Sequence, residues 1–496
     1  VILIKNTTII DGTGKPPFKG DVLIKDDRIS AIGTLVNQKA DQVIDGLGLT
    51  VAPGFINTNT DSDHYLSLLT SPLQKDFLLQ GITTIIGGLC GSSLAPLLYG
   101  SLKSIRKWTD INQVNINWQT LAQFKDSLHQ LRLGVNFGTL VGHSTVRRDL
   151  IGEEIRDLTQ GELDILKEAL KLALKEGALG LSTGLGYTHS RVVPYSEIKS
   201  LLPVVAQYHG VYATHLRDEQ ENLLKSVEET ILAAQESGVP TIISHFRPII
   251  GFEDQFLQAI KLIEGSLSSA NIYFDVNPFN VSVVPIYTLL PQWAQHNNLE
   301  AMSEIIDNSL HLPKIKQDFQ RRISQLEDAV IVEAQGNPSL DNVSLKNFSE
   351  NRGLALPEAV AELMNITRMK ALIYYKNINS DLLSQVLLHQ RALIGTNSAS
   401  LDNDPSIIML ERSTQTFSRY IAAAESKNIP LEEIIKRITS VPAKIFGIGK
   451  RGVLREGWFA DCAILKNKKV VGTIVNGVVA VSNGSLAAAR GSGVPL

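Results

Sequence analysis

Val211-Tyr212-Ala213-Thr214-His215 and, thirty residues on, Thr241-Ile242-Ile243-Ser244-His245 decide the fold. Each is a short apolar run rich in β-branched or aromatic residues, too short for a helix, and each ends on a residue that carries chemistry. The same design recurs in both directions along the chain. Such runs end at Asn59, Cys90, His143, Thr183, His215, His245, Asp275 and Asn397, at intervals of 31, 53, 40, 32, 30, 30 and 122 residues. Amphipathic stretches lie between them. The clearest is 163–175, where Leu163, Ile165, Leu166, Leu170, Leu172 and Leu174 alternate with Lys and Glu. A strand, a helix and their loops take roughly 30 residues. Eight such units predict an α/β fold, a (β/α)8 TIM-like barrel, whose chemistry gathers at the C-terminal ends of its strands. The longest interval predicts an insertion at about 285–350.

The two ends read differently. The first fifty residues hold short β-like runs, among them VILIKN, TTIIDG, DVLIKDD and RISAIG. The last fifty hold CAILKN, KVVGTIVNG and GVVAVSNG, with hairpin signals at Asn476-Gly477 and Asn483-Gly484. The expectation is one small β-sandwich domain formed by both termini, residues 1–52 and 440–496, around a barrel of residues 53–439.

Composition limits the partners. The chain has 496 residues, 44% hydrophobic and 20% charged, which excludes wholesale disorder. Lys+Arg 47 against Asp+Glu 50 leaves a formal charge of -3, and no charge block suggests a nucleic acid or an anionic membrane. Windows 77–102, 276–298 and 470–489 lack Asp, Glu, Lys and Arg. Glycines, Pro96 and amide side chains interrupt them, so no membrane span is expected. Two cysteines, Cys90 and Cys462, cannot staple a fold. Few cysteines and no visible leader fit a cytoplasmic protein, although the first residue is Val1 and a trimmed start is expected. These features do not set an oligomeric state.

Cys90, His215 and His245 form the main constellation. Singly, each has an ordinary reading: a strand Cys is a small core residue, a strand His a structural one. At the ends of three strands on one rim, a thiolate and two imidazoles make a zinc set with a fourth position open.

Several stretches resemble the N-acyl-D-amino-acid deacylases (D-aminoacylases) of the amidohydrolase superfamily: Ala52-Pro53-Gly54-Phe55-Ile56, the Gly91–Pro96 segment after Cys90, Leu140-Val141-Gly142-His143, the run Gly177–Leu185, and Ala213–Glu219. Thr439-Ser440-Val441-Pro442-Ala443 and Val475-Asn476-Gly477 extend the likeness over nearly the whole chain. The resemblance implies a zinc-dependent barrel in which Cys90, His215 and His245 hold the tight zinc, one per chain. It implies that Tyr187 and Arg412 hold substrate, with Arg412 gripping a free carboxylate.

Departures from the family pattern are equally specific. Asn59 and Asp61 stand where the family has His-x-His, so the second, weaker metal site is expected to be lost. Asn397 stands where the family has its Asp general base, and an amide accepts no proton near neutral pH. Arg247 replaces a substrate-contacting Lys, and Asn277 a Tyr. The proton work then falls to Asp61, ahead of Asp63, His64 and His143, with Asn397 able only to orient a group. The reading is a hydrolase acting on the amide of an N-acylated (D-)amino acid or peptide-like carboxylate, a small molecule or short peptide. Two others stand beside it: zinc as Lewis acid for acyl transfer, cyclisation or elimination, and a non-catalytic relative.

Overall fold

The computed structural model describes residues 1–296, 298–401, 410–487 and 490–496. Eight short strands form the barrel: Phe55–Asn57, Ile82–Gly87, Asn136–Thr139 continued as Val141–Gly142, Gly180–Gly184, Val211–His215, Thr241–Ile243, Ile272–Val276 and Ala392–Ile394. All neighbouring strand pairs are parallel. The ring closes between the eighth strand and the first. There Thr58 N–H donates to the Ile394 carbonyl at 3.2 Å, and Asn397 N–H donates to the Asn59 carbonyl at 2.8 Å. Strands buried on both faces need no polar alternation, which is why these segments read as continuous apolar runs. The α/β barrel expected from the spacing is the fold the chain adopts.

The expected helix over 163–175 begins three residues earlier, as Gln160–Lys175. Thr159 accepts from the Glu162 N–H at 3.3 Å, and the Glu162 carboxylate accepts from the Thr159 N–H at 2.8 Å. This reciprocal capping satisfies two N–H groups that a helix start otherwise leaves open. Leu166, Leu170, Ala173 and Leu174 are its buried face, whereas Ile165 and Leu172 are exposed.

Between the seventh and eighth strands the chain builds an extra unit. Strands Val281–Pro285, Ala371–Lys376 and Val330–Ala334 form an antiparallel sheet in that order. Helices Leu299–Asp307, Leu312–Arg321, Leu345–Arg352 and Leu356–Ile366 accompany it, and Ile286, Ile315, Phe319, Met364 and Ile373 share a separate core. Its strands run from Val281 to Lys376, past both limits of the 285–350 span read from the sequence.

Strands from the two termini join in one nine-stranded sheet. Leu49–Pro53 pairs antiparallel with Cys462–Lys466, and Ile4, Val22, Ile29, Val51, Cys462, Ile464 and Ile474 pack in one core. A buried polar knot fastens this sheet to the barrel floor. Arg451 and Asp461 form an ion pair, Asn136 Nδ2 donates to Asp461 Oδ2 at 3.1 Å, and Asn476 Nδ2 donates to Asn136 Oδ1 at 2.8 Å. No helix among the described residues is long and apolar enough to cross a membrane.

Candidate metal centre

Three strand ends bring the donors together. Cys90 follows the second strand on a tight loop and adopts φ 52. Gly91 N–H, next to it, donates to Ser182 Oγ at 3.1 Å. His215 is the last residue of the fifth strand, and His245 lies two residues past the sixth. One ligand atom from each of Cys90, His215 and His245 lies within 4.8 Å of the other two. Cys90 Sγ and His245 Nε2 are 3.4 Å apart, and the two imidazole centroids 4.5 Å.

The surroundings orient the rings. His245 Nδ1 lies 3.1 Å from Glu219 Oε1, where the carboxylate accepts the Nδ1–H hydrogen bond and Nε2 is turned toward Cys90. Glu219 also pairs with Arg247 Nη2 at 3.1 Å. Burial raises the Glu219 carboxyl, but Arg247 and His245 more than offset it and hold it well below the usual range. Burial and the neighbouring His245 push His215 well below the ordinary imidazole value, which keeps it neutral, the form that ligates. His215 Nδ1 is buried without a hydrogen-bond partner among the described residues. A sulfur, two imidazoles and an orphaned ring nitrogen fit a tetrahedral zinc with one position left open. Gly186 is required beside it, because a Cβ there would stand 2.6 Å from His215 Nε2.

The opposite side of the rim is organised otherwise. Asn59 Nδ2 donates to both oxygens of Asp275, at 3.0 and 3.1 Å, and Asp275 Oδ1 also accepts the His245 N–H at 2.9 Å. Burial pushes the Asp275 carboxyl up to about 6. Asn397 Nδ2 donates to Asp61 Oδ2 at 3.1 Å, while Asp61 Oδ1 faces His64 Nδ1 at 3.2 Å. Asp61 falls outside the three-donor group. Gly395 permits this closure, since a Cβ there would meet Asn59 Cβ at 2.6 Å.

The other expected residues divide. The Tyr187 ring lies 4.6 Å from His215, between centroids, and Arg247 joins the centre through Glu219. Arg412 is buried on the helix Leu410–Ser426, where Nε donates to the Thr396 carbonyl at 3.3 Å and Nη2 to that of Asn397 at 2.5 Å. Asn277 follows the seventh strand with Oδ1 buried and unpartnered among the described residues. His143 is drawn elsewhere. It opens the helix His143–Ile151, and its Nε2 lies 2.7 Å from Glu197 Oε1, which Arg147 also contacts at 3.0 Å. Sequence reasoning assigned no role to Glu219 or to Lys107. Glu219, four residues after His215, had that spacing as a signal. Lys107, on an irregular loop, had none.

In fold the chain is similar to the D-aminoacylase whose structure defines a subset of amidohydrolases, with a TM-score of 0.81 at 24% identity, over 99% of this chain and 98% of that one. In sequence, it is similar along nearly its whole length to the N-acyl-D-amino-acid deacylases. It is 28% identical to the D-aminoacylase of Alcaligenes xylosoxydans xylosoxydans over 476 residues, 95% of this chain and 89% of that one. Among solved structures, the N-acyl-D-glutamate deacylase from Bordetella bronchiseptica, complexed with zinc and a phosphonate inhibitor, superposes with a TM-score of 0.83. Its identity is 23%, covering 100% of this chain and 99% of that one. A D-aminoacylase with one-metal activation and second-metal attenuation superposes with a TM-score of 0.81 at 24% identity, over 99% and 98% of the two chains. No family model matches the chain.

Proposed function

We propose that this protein is a zinc-dependent hydrolase that cleaves the amide of an N-acylated (D-)amino acid or peptide-like carboxylate at a mononuclear centre of Cys90, His215 and His245. The convergence of three donor atoms within 4.8 Å on one barrel rim carries the reading. The likeness to deacylases over 95% of the chain supports it. Bound there, zinc supplies Lewis acidity to the amide carbonyl and to a water.

The rest is done by the chain. Glu219 orients His245. Asp61 is the carboxylate that takes the water's proton, held in place by the Asn397 amide. Arg412 grips the substrate carboxylate with the part of its fork not spent on backbone carbonyls. Tyr187, Arg247 and Asn277 line the pocket, and His143 supports the rim from its buried pair with Glu197. With Asn59 and Asp61 bonded within the protein, the second metal site of the family is absent from this reading. It treats residues 1–52 and 440–496 as the β domain and residues 53–439 as the barrel.

Metal analysis and turnover test it together. The expected result is one zinc per chain and hydrolysis of N-acyl-D-amino acids, abolished by Asp61→Asn with zinc retained. Purified protein without metal, or undiminished turnover in Asp61→Asn, overturns it.

A further inference from the structure

Lys107 stands beside the centre on a segment that neither barrel strands nor helices account for. Residues 103–108 begin with a short turn of 3-10 helix, Lys103–Ile105, and are pinned at several points. Ser92, two residues from Cys90, donates its hydroxyl to the Ser104 carbonyl at 3.2 Å. The Ser104 and Thr145 hydroxyls are 2.8 Å apart, and Arg148 Nη1 donates to the Lys103 carbonyl at 3.1 Å. The segment is thus fastened to the loop that carries the sulfur donor.

Those anchors place the Lys107 amine 3.5 Å above the Tyr187 ring centroid and 5.6 Å from that of Trp108. Tyr187 in turn packs on His215, and Trp108 stacks on His64 with centroids 6.0 Å apart. Among the described residues no carboxylate lies within ion-pair distance of the amine; its close neighbours are aromatic faces. An ammonium left with only π-faces is less well solvated than one in water or in an ion pair. Asn397, an amide, has no proton to give a leaving nitrogen, and Asp275 is taken up by Asn59 and the His245 N–H.

We propose that Lys107 is a further catalytic residue, the general acid that protonates the departing amine. The inference rests on the amide-hydrolase reading above. As the water oxygen bonds to the carbonyl carbon, its proton passes to Asp61. As the C–N bond breaks, the electron pair goes to nitrogen, and the Lys107 ammonium gives nitrogen a proton. A carboxylic acid and a free amine result. A proton then returns from Asp61 to Lys107 through solvent, restoring both groups.

The electrostatics agree with this role. Burial, then Arg148, lowers Lys107 to about 7, with Arg106 acting the same way and Cys90 and Glu153 opposing. An acid of that strength is matched to work near neutral pH.

Two substitutions, one ester analogue and one chemical probe test the assignment. Lys107→Met lowers kcat on N-acyl-D-amino acids by about 10²–10⁴-fold at unchanged zinc content. Lys107→Arg, which keeps the charge but does not release a proton near neutral pH, falls as far. The loss shrinks on the O-acyl 2-hydroxy acid analogue, whose leaving oxygen needs less help from an acid. In metal-free protein, competitive acetylation read by mass spectrometry gives Lys107 a midpoint near pH 7, well below the exposed lysines. Retained kcat in Lys107→Arg, equal losses on amide and ester, or a midpoint shared with the other lysines overturns the assignment while leaving the amidase reading intact. A parent protein that hydrolyses no N-acyl amino acid removes the amidase reading itself. The metal-free midpoint is read independently of that outcome.

Discussion

On the side of the rim carried by the second, fifth and sixth strands, Cys90, His215 and His245 aim donor atoms at one another, and His215 Nδ1 stays unpartnered. On the side carried by the first, seventh and eighth strands, the Asn59 and Asn397 amides donate to the Asp275 and Asp61 carboxylates, while Asn59 Oδ1 stays unpartnered among the described residues. Buried charges need partners, so the carboxylates of Asp61 and Asp275 are paired as the chain folds, whereas the three donors on the other side call for a ligand. Amides are what make the difference. Asn59 and Asn397 bring donors to carboxylates where the related deacylases, by the resemblance, carry a ligand and a base.

Removing a donor breaks the comparison most severely. Cys90→Ala or His245→Ala is expected to abolish zinc retention, measured by elemental analysis after desalting, and turnover with it. Stripping zinc with a chelator from the parent should do the same reversibly, with activity returning on readdition. Glu219→Gln keeps the shape but loses the charge that fixes His245. Zinc affinity should fall by about 10–100-fold in competition with a chromogenic chelator.

Changes on the amide-paired side should leave zinc affinity alone and appear as stability. Asn59→Ala strips fully buried Asp275 of a donor to both oxygens, at a cost of about 2–3 kcal/mol in denaturant unfolding. Asn397→Asp sets a carboxylate against half-buried Asp61 and should cost about 1–2 kcal/mol at pH 7. That last deficit has a defined sign with pH. Facing carboxylates keep one proton to a higher pH than the unfolded chain does. The folded state therefore binds more protons between the two values, and the deficit shrinks as pH falls toward about 4. A deficit constant with pH, or zinc loss in either variant, would erase the distinction between the two sides.

Much of this was readable because it repeats. Eight runs at near-regular spacing specify eight strands, and their last residues specify the rim, which is how Cys90, His215 and His245 could be grouped. Pairing across the rim was not readable. The Asn59–Asp275 contact joins residues 216 apart, and nothing local marks either as the other's partner. His143 shows the limit of strand-end logic: a helix starts on that residue, and its ring goes to Glu197 instead of the centre. Lys107 shows another, since its position depends on side-chain anchors to Ser92 and Arg148, not on any period. At the N-terminus, the runs VILIKN and TTIIDG are one strand, Ile2–Ile9, with a register shift between Ile4 and Thr7. Asn6, at φ 58, donates its N–H to Asp21 Oδ1 at 2.9 Å there, so the break between the two runs is a bulge within one strand.

The antiparallel pairing of Leu49–Pro53 with Cys462–Lys466 has a consequence for synthesis on the ribosome. The first of these strands emerges about 400 residues before its partner, roughly 20–80 s earlier at ordinary elongation rates. Through that interval its edge is unpaired and Val51 lacks Cys462 and Ile464 as core neighbours. The N-terminal strands can pair with one another early, but the Leu49–Pro53 edge waits for Cys462–Lys466. A nascent chain stalled before Cys462 should be more open to protease and chaperone at that edge than one that has passed it.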